Sequence, residues 1–102
     1  MSGGHFAYKQ YELGYIADSI EQTVINNGKR KEYKTDSWES PYYETHSPEV
    51  IEKFKEAAYK LREAQIYIHR VDYLICGDDG EENFMIRLDE DLTKLRKEYG
   101  RE

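Results

Sequence analysis

Apolar residues recur at helical spacing in three stretches of the 102-residue chain, separated by polar, turn-forming segments. In the first stretch Leu13, Ile16, Ala17, Ile20 and Val24 fall on one stripe. Asn26-Asn27-Gly28 then supplies a left-handed stop, so a helix is predicted over about residues 7–27. In the second, Val50, Phe54, Ala57, Leu61, Ala64, Ile68, Val71 and Ile75 step by alternating fours and threes, a seam of nearly four heptads. Ser47-Pro48-Glu49 marks its start, because a Ser N-cap accepts backbone N–H bonds, Pro at the next position has no N–H to orphan, and Glu meets the positive helix end. Gly77 ends it, giving a helix over about 48–76 that is on the order of 40 Å long at 1.5 Å per residue. In the third stretch Phe84, Leu88, Leu92, Leu95 and Tyr99 share a face, Gly100 closes it, and Asp79 followed by Glu82 reads as a reciprocal N-terminal cap, predicting a helix over about 81–99. The short turn before it favours an antiparallel return onto the second helix. Neither strand alternation nor an internal repeat is visible. The expectation is one all-α domain over 1–102, a three-helix arrangement with a long central helix and a long loop at about 28–47 that is basic at its start and aromatic in its middle.

Two of these helices carry a second face. On the central helix Tyr59, Arg62, Ile66, His69 and Tyr73 repeat the same three-four spacing well away from the aliphatic seam, and on the first helix Tyr8, Tyr11 and Tyr15 lie opposite Leu13 and Ile20. Leu, Ile, Val and Phe make up only 20 of the 102 residues, whereas Tyr alone contributes 10. The aliphatics are therefore expected to form the monomer core and the tyrosines to mark additional surfaces. The third helix, the loop around Trp38 or another copy of the chain are the available covers. Self-association across the second face of the central helix is the expected one, with cyclic symmetry pairing like patches.

Net charge is −6, which disfavours direct binding to a phosphate backbone. The apolar clusters are too short to span a bilayer, and the start Met1-Ser2-Gly3-Gly4-His5 lacks the basic and hydrophobic parts of an export signal, so a cytoplasmic protein with no membrane contact is expected. Lone Cys76 excludes a disulfide within the monomer and reads as a buried structural thiol.

Arg62, His69 and Arg70, interleaved with Tyr59, Tyr67 and Tyr73, are the strongest ligand-binding or interface candidates. Arg offers planar paired donors to phosphate or carboxylate, and Tyr a ring for stacking, a combination suited to a small nucleotide-like anion. Pairing of these arginines with neighbouring acids is the plainer alternative. His5, Tyr8, Tyr11, Tyr15 and Trp38 are secondary candidates. His5 is out of register for an amino-terminal metal clamp, and Asp78-Asp79-Gly80-Glu81-Glu82 lacks the alternation of a divalent-cation loop, so neither a metal nor a cofactor is expected. The acidic run from Asp78 to Asp91 reads mainly as caps and solvated faces, and as a phosphate-mimicking decoy in a minor alternative. A small hydrolase built on His46 or His69, with Asp36 and Cys76 nearby, is a third possibility that no spacing supports.

The segments Met1-Ser2-Gly3-Gly4-His5-Phe6-Ala7-Tyr8-Lys9-Gln10-Tyr11, Ile16-Ala17-Asp18-Ser19-Ile20-Glu21, Ser47-Pro48-Glu49-Val50-Ile51-Glu52-Lys53-Phe54 and Gly77-Asp78-Asp79-Gly80-Glu81-Glu82 together resemble a family of small proteins of tailed phages and prophages. The resemblance departs at residues 29–46 and implies no particular activity. What it implies by association is a non-enzymatic protein that acts on host machinery or defence by binding, either sequestering an anionic ligand or capturing a host protein.

Overall fold

A computed structural model describes residues 6–101; His5, named above as a candidate, lies outside them. The chain folds as three helices, α1 (Gln10–Ile25), α2 (Pro48–Ile75) and α3 (Glu81–Glu98), with no strand among the described residues. The all-α, three-helix architecture with a long central helix is as expected. Ser47 caps α2, its hydroxyl accepting from the Val50 N–H, and Pro48 opens the helix. Gly77 and Gly100 adopt left-handed backbone at φ 82° and 67°, the conformation that ends helices at low cost only in glycine.

Two local expectations need correction. Helix α1 begins at Gln10 rather than residue 7, because Ala7 and Tyr8 sit at positive φ (53° and 61°), which no helix tolerates. The cap of α3 is Gly80, with no side-chain cap hydrogen bond; Asp79 instead faces the Arg70 and Arg87 guanidiniums, 3.9 and 4.0 Å away.

Both α1 and α3 run antiparallel to α2 and lie along its C-terminal two-thirds. Pairings along α1 show its direction: Phe6 N–H donates to Asp72 Oδ1 (3.3 Å), the Tyr11 ring lies 6.3 Å from His69, Gly14 lies against Gln65, and Glu21 meets Arg62. Pairings along α3 do the same: Arg70 with Asp91, and Tyr59 with Tyr99. At 100° per residue the positions of α2 that meet α1 (Ala58, Gln65, His69, Asp72) and those that meet α3 (Tyr59, Ile66, Arg70, Tyr73) are roughly a quarter turn apart. The Val50–Ile75 aliphatic seam lies about another quarter turn beyond α1, on the opposite side of α2 from α3.

The packing is correspondingly thin. Only Ala17, Ala58, Tyr59 and Leu95 are buried hydrophobics, Gln10 and Asp72 are buried polar residues, and no large side chain is wholly enclosed among the described residues. The molecule measures 57 × 33 × 17 Å with a radius of gyration of 17.9 Å, where a compact chain of this length would have about 13 Å. The expectation that the aliphatics form a closed monomer core is therefore overturned: Ile16 and Ile75 are 50% and 52% exposed, and Leu13, Ile20, Leu61, Ala64, Ile68 and Val71 are only partly covered. The small residues Ala17 and Ala58 are what bring α1 close to α2, and they bury little apolar area in doing so.

Candidate functional site

The Tyr/Arg/His side of α2 is the part of the molecule that is assembled within one chain. Its centre is Arg62, whose guanidinium reaches Asp18 and Glu21 of α1 while its Nε donates to the Tyr99 hydroxyl at 3.1 Å. That hydroxyl in turn donates to Glu21 Oε2 at 2.9 Å, so one network ties all three helices together. Burial opposes the charge of Arg62, but the hydrogen bonds with Asp18, Glu21 and Tyr99 outweigh it and raise its pKa. Partial burial, reinforced by donation to Glu21 and opposed by Arg62, lifts the Tyr99 phenol above its ordinary value.

One end of this network is Tyr59, buried edge-on against Tyr99 at 5.3 Å between ring centres, with the Arg101 guanidinium 4.0 Å above its ring. Arg101 also pairs with Glu56, and that hydrogen bond holds the Glu56 carboxyl below its usual range. Toward the other end, Arg70 donates to Asp91 at 2.7 Å and lies 5.5 Å over Tyr73, whose ring is 4.4 Å from His69. Tyr8, Tyr11 and His69 continue as a row of rings at 6.1 and 6.3 Å. Ile66 lines a groove with Asp91, Lys94, Leu95 and Glu98 of α3.

The six principal candidates Tyr59, Arg62, Ile66, His69, Arg70 and Tyr73 are thus brought together, but as the seat of α1 and α3. Of the three covers available to this second face, where another copy of the chain is the expected one, it is α3 that returns along it. Both arginines already have carboxylate partners, so the bidentate donors that suggested an anion site are engaged inside the chain. Of the secondary candidates, Tyr8 and Tyr11 join the row while Tyr15 stands away from it, 71% exposed. The partners Asp18, Glu21, Asp91 and Tyr99 were not foreseen; two acids three residues apart on α1 were the available sign.

The residues offered for catalysis are not assembled. His46 N–H donates to Asn27 Oδ1 at 2.7 Å, and Asn27 Nδ2 donates back to the His46 carbonyl at 3.3 Å, with the imidazole edge-on to the Phe54 ring at 5.1 Å between ring centres. This pins the loop to the N-terminal end of α2, whereas Cys76 caps the far end, on the order of 40 Å away along the helix. Cys76 is partly rather than fully buried, and its thiol lies 3.7 Å from Asp72 Oδ1. No group of three or more His, Cys, Asp or Glu among the described residues is placed to hold a metal ion. No described helix is long and apolar enough to cross a membrane.

The segment from Asn26 to Ser47, read from sequence as an irregular loop, is a zipped ribbon. Gly28 N–H donates to the Glu44 carbonyl, Tyr43 to Lys29 and Lys31 to Pro41, at 3.3, 2.8 and 2.7 Å, and Arg30 and Tyr42 pair antiparallel. Gly28 takes φ 70° here, and Thr45 Oγ1 would lie 2.8 Å from any added Cβ, so glycine is required at this crossing of the two arms. Lys31 reaches across to Glu39 at 3.1 Å and sits 5.8 Å from the Tyr43 ring. At the tip, Glu39 N–H closes a turn onto the Asp36 carbonyl at 3.0 Å and presents Trp38, 83% exposed, with Tyr33 and Tyr42 also open to solvent.

Comparison with protein-family models, with curated proteins and with solved structures finds no match to this chain.

Proposed function

We propose that the protein is a non-enzymatic binding module that captures a protein partner through the Trp38 tip of the 26–47 ribbon. The observation that carries this reading is a large aromatic side chain held almost entirely in solvent by a ribbon whose backbone is zipped and whose base is pinned. An exposed indole gains nothing for its own fold, whereas aromatic anchors ringed by polar groups dominate the energetics of protein interfaces. Preorganisation of the ribbon lowers the ordering cost of binding. Tyr33 and Tyr42, also exposed, lie on either side of the anchor in sequence, and the ribbon around them is polar and without net charge, Lys29, Arg30, Lys31 and Lys34 being balanced by Glu32, Asp36, Glu39 and Glu44. Sequestration of a small anion at Arg62 and Arg70 has less support, because both guanidiniums are already paired. With the resemblance to small tailed-phage proteins, the partner class is a protein of the bacterial host.

The test is affinity capture from bacterial lysate with the wild-type chain and Trp38→Ala, quantified by mass spectrometry. One partner recovered in stoichiometric amount and reduced at least tenfold by Trp38→Ala, with an unchanged melting temperature, supports the proposal. Equal recovery by both proteins overturns it. So does a nucleotide or oligonucleotide, tested by titration calorimetry, that binds in a Trp38-dependent manner in place of any protein.

A further inference from the structure

The aliphatic side of α1 and α2 is only partly covered within the described chain, by Phe6, Ala7 and Lys9 at one end. Leu13, Ile16 and Ile20 of α1 run beside Leu61, Ile68 and Val71 of α2, and Leu13 and Ile68 line one open groove. This strip lies on the side away from α3, and the α2 seam carries no charged residue from Val50 to Ile75.

We propose that this strip is the interface of a two-fold homodimer, in which the α1–α2 pairs of two copies face one another and close a four-helix core, leaving both α3 helices outside. Three observations select a second copy as the occupant. First, the chain exposes 7526 Å², whereas a compact monomer of 12.2 kDa exposes roughly 6,100 Å². The difference exceeds the about 800 Å² per partner that a standard stable interface covers. Second, helical domains are built as layers closing on a shared core, and this single chain supplies only the α1–α2 half of one on that side. Third, the strip is predominantly aliphatic with lysines at its border (Lys9, Lys53, Lys60) and no acid among its members on α2, so two copies can bring like apolar patches together as a two-fold contact requires. Ala64, small and central between Leu61 and Ile68, is the point at which two α2 helices approach most closely. The tyrosine face does not enter this contact.

Sedimentation equilibrium and native mass spectrometry of the full chain decide the matter. A dimer is expected at tens of micromolar, with affinity that holds or rises with salt because the contact is apolar and like charges are screened. Ile16→Glu, at a half-exposed site that the monomer does not need, weakens association at least 100-fold while circular dichroism keeps its helical signal. Tyr15→Glu, one residue away on the other side of α1, leaves association within about threefold. As a second measurement, Ala64→Cys in a Cys76→Ser background gives a covalent dimer on mild oxidation, and Tyr15→Cys in the same background does not. A wild-type monomer at 200 μM, a dimer that survives Ile16→Glu, or a dimer broken by Tyr15→Glu overturns the proposal. Because Trp38 lies outside the strip, Trp38→Ala leaves the dimer intact even if partner capture fails.

Discussion

The two sides of the α1–α2 pair are built from opposite chemistry and have opposite fates. On one side, aromatic and charged residues (Tyr59, Arg62, Arg70, Tyr73) are satisfied by Asp18, Glu21, Asp91 and Tyr99 and roofed by α3. On the other, the aliphatics are only partly covered, with Ile16 and Ile75 half-exposed. Hydrophobicity alone would reverse this assignment. Directional bonds can seat a helix over a narrow line of contact, whereas aliphatic burial needs breadth, and a single 18-residue helix already committed to the polar side has none left to give.

Deleting buried volume on the roofed side is the strongest way to break this contrast. Leu95→Ala should cost about 2–4 kcal/mol at any protein concentration, since Leu95 is 5% exposed within one chain. Ile16→Ala should cost no more than about 0.5 kcal/mol in the dilute protomer and more as concentration rises. Thermal melts across a hundredfold dilution series check both; equal, concentration-independent losses would erase the distinction. A smaller effect probes the charged centre. Arg62→Ala leaves Glu21 and Asp18 facing one another and should lower stability by about 1–2 kcal/mol, the contribution being limited by solvent access to the site. Chemical denaturation measures it, and an unchanged midpoint would show that the network only decorates the fold.

The smallest effect is one of pH. The Tyr99 phenol is raised above 10.0 by burial and by donation to Glu21, with Arg62 working against both. A raised folded-state value makes the folded chain the tighter proton binder, so this contribution is complete below pH 10 and is lost as pH rises past it. The stability gap between wild type and Tyr99→Phe should therefore be constant below pH 10 and shrink as pH rises above it, as followed by circular dichroism. A gap that stays constant would mean that the phenol titrates alike in the folded and unfolded chain.

Where local chemistry is decisive, the sequence is a good guide. Ser47-Pro48 places the start of α2, and Gly77 and Gly100 place helix ends, because caps and left-handed turns depend on residues within one turn. Helix faces are equally readable, including the second face of α2. Which face a neighbour takes is not, because it depends on side chains remote in sequence: Arg62 finds Glu21 and Tyr99, 41 and 37 residues away. The same distance hid the ribbon, whose arms meet through backbone groups of Lys29 and Tyr43 that any residue types supply. Asp79 followed by Glu82 fits a capping pattern, yet the Asp79 carboxylate lies toward the Arg70 and Arg87 guanidiniums, at 3.9 and 4.0 Å, and Gly80 takes the cap position.

The length of α2 has a bearing on avidity. The ribbon is anchored where His46 meets Phe54, near the first turns of the 28-residue α2. Two such helices crossing antiparallel at Ala64 would carry their ribbons to opposite ends of the assembly, with the ribbon bases at the start of each α2 on the order of 50 Å apart. Ribbons based that far apart would not converge on one small target. They would suit two sites on an oligomeric or filamentous target, where the rigid helical spacer makes the second engagement effectively intramolecular, and changing α2 by whole heptads would tune that match.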